Sequence, residues 1–564
     1  MSADALSTRP GRTDTRPGLK ALAGVRPAAL AAWLALAAGL LCAACVQAAG
    51  SGSQRLLRVS LEGASEHPVA GRLLVFATQA ERAQAAAGEG KVEAVDVNPF
   101  MPTAVAVAGR EVVHLAPGAS VHVDLDDQAF PSAFADLPAG DYLLQAVLDT
   151  NHDYPYLGRS GGDLVSEVVA VALGGGADLP AVRLVAQLPA SDDPWQLSTR
   201  ASQSMRDALP GARANTIDAS MVSPALSAFF GRPVEIRVRV LTPPGYRDDT
   251  QTRYPTVYYT HGFSGGFNRF AGNIVRVWRG MAAGDYPPMI WVFMDMSWAT
   301  GTHQFADSVN NGPWGMALTR ELIPSLEARF RMDGNAQGRL LTGHSSGGWA
   351  TLWLQVRHPT LFGGTWSTAP DPADFRDFTG VDLYAPDANL YRRADGSAIG
   401  LVRDQGKILA TIEDFARMER VLGAHGGQMA SFEWVFSPRG ADGRPQPLFD
   451  RDTGVVDAAV AAHWRAHFDI AERLRTRWPT LQPDLDGKIR VIVGTADNFH
   501  LDGSVRRLQA VLDGLGARSD FRYLDARTHF DLYAEGDDST AMLKAIAWEM
   551  YAVARPEAAP APVP

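Results

Sequence analysis

From Arg55 to about Leu188 apolar side chains recur at every second position in short runs, among them RLLRVSLEG, GRLLVFAT, SVHVDLDD, DYLLQAVLDT and AVRLVAQL, with Gly, Pro and Asp between them. Alternation of period two places successive side chains on opposite faces of an extended chain. These runs therefore predict strands, and many short strands with turn residues between them predict an all-β sandwich over residues 50–188. A stretch rich in Pro, Asp and Ser follows, and residues 189–212 are expected to be a linker.

Beyond it the pattern changes. VEIRVRVLTP (234–243), PTVYYTH (255–261) and MIWVFMDM (289–296) are apolar runs of strand length. PWGMALTRELIPSLEARF (313–330) instead repeats at helical spacing, with Leu318, Leu322, Leu326 and Phe330 on one face. RLLTG leads into GWATLWLQVRH, and KIRVIVG (488–494) into SVRRLQAVLDGLG and DFRYLDA. Strands alternating with helices predict a mostly parallel α/β sheet with helices on both faces, over residues 213–553. RPEAAPAPVP lacks apolar content, so residues 554–564 are expected to be a disordered tail.

Composition adds the frame. At 564 residues and 46% hydrophobic, the chain is too long for one core and suits two domains. Arg9, Arg12, Arg16, Lys20 and Arg26 precede an uncharged stretch from Pro27 to Gln47, and Val46 and Ala48 stand where a signal peptidase reads small residues. The expectation is a signal peptide over 1–48 and a secreted or periplasmic protein, with no stable membrane insertion after cleavage. An uncleaved anchor and a lipoprotein at Cys45 are the alternatives. Both cysteines, Cys42 and Cys45, lie in this segment, so a mature chain would be held by its core without disulfides. The net charge of -10, more negative still after loss of the basic leader, excludes nucleic acid as a partner.

The pentapeptide G-x-S-x-G occurs three times, around Ser160, Ser264 and Ser345. A nucleophilic serine on a sharp strand-to-helix turn needs small residues two positions to either side, where a side chain would strike neighbouring backbone. Ser160 follows a turn-rich stretch with no strand, and Ser264 follows a strand but enters a loop. Ser345 has Leu340 and Leu341 ending a strand before it. After it Trp349, Leu352, Trp353 and Val356 form a helical face that stops before Pro359.

In this architecture the carboxylate and the histidine follow the serine in that order. His529 in DARTHFDLY lies just beyond a strand, and Asp497 in VIVGTADNFH lies in the loop after another, with Asp502 as its competitor. His358, at a helix end before proline, reads as a surface cap, and His500 as a loop histidine. His463 and His467 share a helical face at zinc-like spacing but lack a partner ligand cluster. Ser345, Asp497 and His529 are the candidate catalytic residues. The backbone amides of Ser346, at a helix N-terminus, and of Phe263, in the loop after PTVYYTH, are the candidate oxyanion donors. No cofactor and no metal is expected. Asp149, Asn151 and Asp153 alternate in a way that hints at calcium, but the run lacks the glycine of an EF-hand loop and reads as a solvated turn. Trp298, Trp314, Trp366 and Trp434 would suit an aromatic or sugar-linked acyl group, although tryptophan more often fills a core.

RYPTVYYTHGF, ELIPSLEARF, RLLTGHSSGGWATL and RHPTLFGGTWSTAP together resemble the Putative esterase (esterase D-like) branch of the α/β-hydrolases, which includes S-formylglutathione hydrolase, feruloyl and acetylxylan esterases and the mycolyltransferases. The resemblance covers about residues 225–550. It implies an α/β-hydrolase fold, Ser345 as nucleophile with Asp497 and His529 as its partners, and the residue after HG as an oxyanion donor. Two departures stand out: an N-terminal β-domain, and a long stretch, 370–487, that reads as an insertion able to cover the site. The expected activity is hydrolysis of a small-molecule, carbohydrate or lipid ester. Acyl transfer by the same residues and a degenerate binding protein are the other readings.

Overall fold

The computed structural model describes residues 55–557, apart from 155–157, 175–177, 190–192, 424, 426 and 537. The expected signal segment, with its anchor and lipoprotein alternatives, and residues 558–564 of the expected tail lie outside the described residues. No described helix is long and apolar enough to cross a membrane.

Among the described residues nine strands form the N-terminal sheet: β1 (Leu56–Leu61), β2 (Val69–Gln79), β3 (Ala106–Leu115), β4 (Ser120–Asp124), β5 (Ala129–Phe130), β6 (Gly140–Asp149), β7 (Leu164–Ser166), β8 (Val169–Leu173) and β9 (Val182–Gln187). Their order is β4-β1-β9-β7-β6-β2-β3-β5, with β8 also on β6. Period two now acquires its meaning. Leu73, Val75, Ala146 and Leu148 turn to a core shared with Leu57, Val123 and Leu184. Their neighbours Leu74, Phe76 and Val147 turn the other way, onto a core that belongs mainly to the C-terminal half. Both faces of β2 and β6 are thus buried.

The second sheet has eight strands: β10 (Thr216–Val222), β11 (Glu235–Leu241), β12 (Thr256–Thr260), β13 (Ile290–Met294), β14 (Arg339–His344), β15 (Gly364–Thr368), β16 (Ile489–Gly494) and β17 (Ser519–Leu524). They lie in the order β10-β11-β13-β12-β14-β15-β16-β17. Only β11 runs against its neighbours; the pairs from β13 through β17 are all parallel. This is the α/β-hydrolase fold. Its central strands, such as IWVFM in β13 and GTWST in β15, are buried along their whole length, as a sheet covered on both faces requires.

Helices α1 (Ala271–Ala283), α2 (Ser346–Arg357), α7 (Leu501–Gly514) and α8 (Ala541–Ala554) cover the sheet. Leu318, Leu322, Leu326 and Phe330 face one core, as their spacing requires. The stretch read as a linker contains a helix, Gln203–Ala214, capped by the Ser202 hydroxyl. Met205, Leu209 and Ala212 pack it into the same core as α1.

Between β15 and β16 come helices α3 (Ile412–Leu422), α4 (Gln428–Phe436), α5 (Ala458–His467) and α6 (Ile470–Leu485). This insertion fuses with the N-terminal sheet. The guanidinium of Arg72 on β2 donates through Nε and Nη2 to the carbonyl of Val421 on α3, at 3.1 and 2.7 Å. A methyl group at Gly109 on β3 would lie 2.6 Å from that same oxygen, so glycine there sets how closely sheet and helix approach.

Candidate active site

The carboxyl ends of β12, β14, β16 and β17 meet at one cavity of about 300 Å³. Open α/β sheets place ligands at this edge. Strand β14 delivers Ser345 on a turn so tight that the residue takes φ +61°, ψ -125°, a conformation that costs an L-residue strain and recurs at functional positions. The turn is held by the Ser345 amide, which donates to Thr368 O at 3.0 Å, and by its carbonyl, which accepts from Trp349. The flanking glycines are obligatory. A Cβ at Gly343 would sit 2.4 Å from Gly347 O, and one at Gly347 would sit 2.6 Å from the carbonyls of both Thr260 and His261.

Asp497 follows β16 and is wholly buried, while His529 follows β17 and is 5% exposed. Nδ1 of His529 lies 2.8 Å from Asp497 Oδ2. A carboxylate can only accept, so Nδ1 carries the proton and Nε2 is left as the basic nitrogen. The amides of Phe499 and Leu501 donate to the other oxygen, Oδ1. Burial alone would raise the Asp497 carboxyl. The adjoining imidazole and these amides outweigh that and hold it below the usual carboxylate range. Asp502, the competitor, pairs instead with Arg403 at 3.0 Å. Ser345 and His529 line the same wall, and Ser345 Oγ is without a hydrogen-bond partner among the described residues. Such looseness is common before a substrate arrives.

The loop after β12 bends over Ser345. A Cβ at Gly262 would be 3.2 Å from both His344 O and Ser345 Cβ, so glycine allows the approach. The His261 ring braces this loop. Its Nδ1 lies 2.7 Å from Gly262 O, and its Nε2 accepts from the Met296 amide at 3.0 Å. Phe263 and Ser264 follow on the cavity wall, with Ser264 at φ +62°. Ser346 opens α2 and is buried.

Two features of the cavity were not singled out in the sequence. One is Asp371, whose Oδ2 accepts from the Ser346 hydroxyl at 2.5 Å; burial pushes its carboxyl up to about 6. The other is the lining. Phe100 comes from the N-terminal region, Phe378, Leu401, Phe415, Met429 and Phe432 from the insertion, and Phe499 and Phe530 from the loops that carry Asp497 and His529. The aromatic surface is phenylalanine. Trp314 is buried against His303, with ring centroids 3.7 Å apart, and Trp366 is buried with its Nε1 donating to Glu549. His344 also lines the cavity, its ring 4.4 Å from that of His529, and burial lowers its pKa to about 3. The rings of His463 and His467 lie 4.3 Å apart along α5, tilted by 37°.

Residues 230–469 match the family model described as Putative esterase. A search of curated proteins returns no match. Among solved structures, a ferulic acid esterase aligns at 16% identity and a TM-score of 0.33, over 60% of this chain and 97% of its own. An S-formylglutathione hydrolase from Agrobacterium tumefaciens aligns at 14% and 0.35, over 60% and 94%. The fluorophosphonate-binding serine hydrolase FphF of Staphylococcus aureus aligns at 12% and 0.34, over 60% and 98%.

Proposed function

We propose that this Putative esterase member is an exported serine esterase that cleaves carboxylic esters of apolar acyl groups through an acyl-enzyme on Ser345. The observation that carries the reading is the His529–Asp497 bond of 2.8 Å on the wall that also bears Ser345, at a strained strand-to-helix turn. In the first step Ser345 Oγ forms a bond to the ester carbonyl carbon while His529 Nε2 takes the hydroxyl proton. Asp497 keeps the ring in the required tautomer and stabilises the imidazolium. The amides of Phe263 and Ser346 receive the negative charge on the carbonyl oxygen. Each such donor typically lowers the barrier by about 2.7 to 4 kcal/mol. The imidazolium returns its proton to the departing alkoxide as the C–O bond breaks. Water, deprotonated by the same nitrogen, then releases the acid.

The lining supports a reading of the acyl half of the substrate. Phe378, Leu401, Phe415, Met429 and Phe432 present carbon and ring surface, which suits an aromatic or medium-length aliphatic acyl group better than acetyl. A series of nitrophenyl esters run from acetyl to octanoyl, with a feruloyl ester beside it, tests both parts. The expected order of kcat/KM rises with apolar acyl size. Ser345→Ala should lower kcat by about 10⁴ to 10⁶ while leaving thermal unfolding unchanged. Full activity in that variant would remove the proposal. Export is tested separately, by mass measurement of the mature N-terminus, which is expected near Ala48 or Ala49.

A further inference from the structure

The turn joining β6 to β7 brings together three carboxylates. Asp149 ends β6 and Asp163 immediately precedes β7. Val147 pairs with Val165 and Leu148 with Leu164, so the next rung of the ladder sets Asp149 opposite Asp163. Like charges opposed across a strand pair repel, and removal from water strengthens the effect. These two are 1% and 0% exposed. Asp153, on the turn, joins them, and one oxygen from each of the three lies within 4.8 Å of the others.

Local donors answer only part of this charge. The amides of Asn151 and Asp153 donate to Asp149 Oδ1, and that of Tyr154 to its Oδ2. The Ser160 amide donates to Asp163 Oδ2, and the Ser160 hydroxyl to Asp153 Oδ1. Asp163 Oδ1 is buried and has no hydrogen-bond partner among the described residues. The nearby basic side chains are engaged elsewhere: Arg159 with Asp96 and Gln145, and His152 with Glu111. Burial, with Asp149 and Asp153 beside it, pushes the Asp163 carboxyl up to about 7.

We propose that Asp149, Asp153 and Asp163 hold a calcium ion. A hard cation with flexible coordination takes oxygen ligands at about 2.3 to 2.6 Å, so oxygens on opposite sides of it stand about 4.8 Å apart. The three carboxylates fall within that span. Zinc prefers nitrogen and sulfur donors, which this set does not offer. Further positions on the ion would be filled by backbone carbonyls and water, as is usual for calcium. The serine pentapeptide around Ser160 thereby acquires a role, since Ser160 braces two of the three ligands. The same turn shares a cavity wall with Phe263 and Ser264, so the ion would fasten a segment lying against the loop over Ser345.

The test uses the full chain, treated with a chelator and then titrated with calcium chloride in a calorimeter, with thermal unfolding followed in parallel. Saturable one-site heat and a rise in Tm of several degrees are expected, with a weaker response to magnesium chloride. Asp153 is exposed, so Asp153→Asn should fold normally and bind calcium at least about tenfold more weakly. Asp163→Asn should abolish binding and raise the Tm of the chelated protein, because it removes a buried charge. Absence of heat and of any Tm change up to about 10 mM calcium, an equal response to magnesium, or unchanged binding in Asp153→Asn would each overturn the site. None of these results bears on ester hydrolysis, which stands or falls on Ser345.

Discussion

The two walls of the cavity are built in opposite ways. The side proposed to react comes from one sheet: Ser345, Asp497, His529 and the loop of Gly262 and Phe263 each stand just past the carboxyl end of a parallel strand. Their positions are set by backbone geometry over a few residues. The side proposed to take the acyl group is an assembly of Phe100, Phe378, Phe415, Phe432 and Phe530, drawn from segments hundreds of positions apart that meet because the insertion packs on the N-terminal sheet. The proposed chemistry is local in sequence, and the proposed specificity is not. Substitutions on the first wall should therefore change rate for every ester alike. Substitutions on the second should change the ranking of esters.

The largest such effect after Ser345 itself is expected for Asp497→Asn. It keeps the shape but presents the wrong partner to Nδ1, and kcat should fall about 10⁴-fold for short and long acyl groups equally. Steady-state rates across the ester series check this; a fall confined to one acyl class would break the distinction. Gly262→Ala comes next. Its methyl group must push against His344 O and Ser345 Cβ at 3.2 Å, displacing the loop by a few tenths of an ångström. About a tenfold loss of kcat with unchanged Tm is expected, since small misplacements near reacting atoms cost rate steeply.

Asp371 sharpens the comparison through pH. Its carboxyl rises from 3.8 to about 6 on folding, so the native state holds that proton more tightly than the unfolded chain. The stabilisation is full below 3.8 and is lost as pH rises through about 6. The Tm of Asp371→Asn minus that of the wild type should therefore increase across that window and level off above it, as unfolding scans at several pH values would show. The smallest effect belongs to Phe100→Ala. Phe100 meets Phe530 edge-on at 5.6 Å. Its loss should lower kcat/KM about fivefold to tenfold for bulky acyl groups and leave acetyl unchanged, near the lower end of the about 1 to 3 kcal/mol that one methylene in a pocket is worth, because Phe100 is one of several rings on that wall. An equal loss for acetyl would mean that the N-terminal region supports the catalytic wall instead.

The same contrast explains what the sequence disclosed. Ser345 was legible because Gly343, Gly347, a strand before and an amphipathic helix after all lie within twenty residues and state one steric requirement. The positions of Asp497 and His529 in loops beyond strands were legible because each follows a recognisable apolar run. Asp371 lies just beyond β15 in a run with no periodic signal, and only folding brings it under Ser346. In sequence the phenylalanines are indistinguishable from ordinary core residues, and of the tryptophans, Trp314 and Trp366 are in the core. The helix Gln203–Ala214 was hidden by Pro210 and a polar composition, and packing against α1 forms it nonetheless. Fusion of the N-terminal sheet with the insertion, through Arg72 and the carbonyl of Val421, could not be read from either segment alone.

The nucleophile's identity is tested most directly by labelling the full chain with a fluorophosphonate and mapping the adduct by peptide mass spectrometry. A single adduct on Ser345, lost in His529→Ala, is the expected result. An adduct on Ser264 or Ser160, or none on a folded protein, would contradict the account.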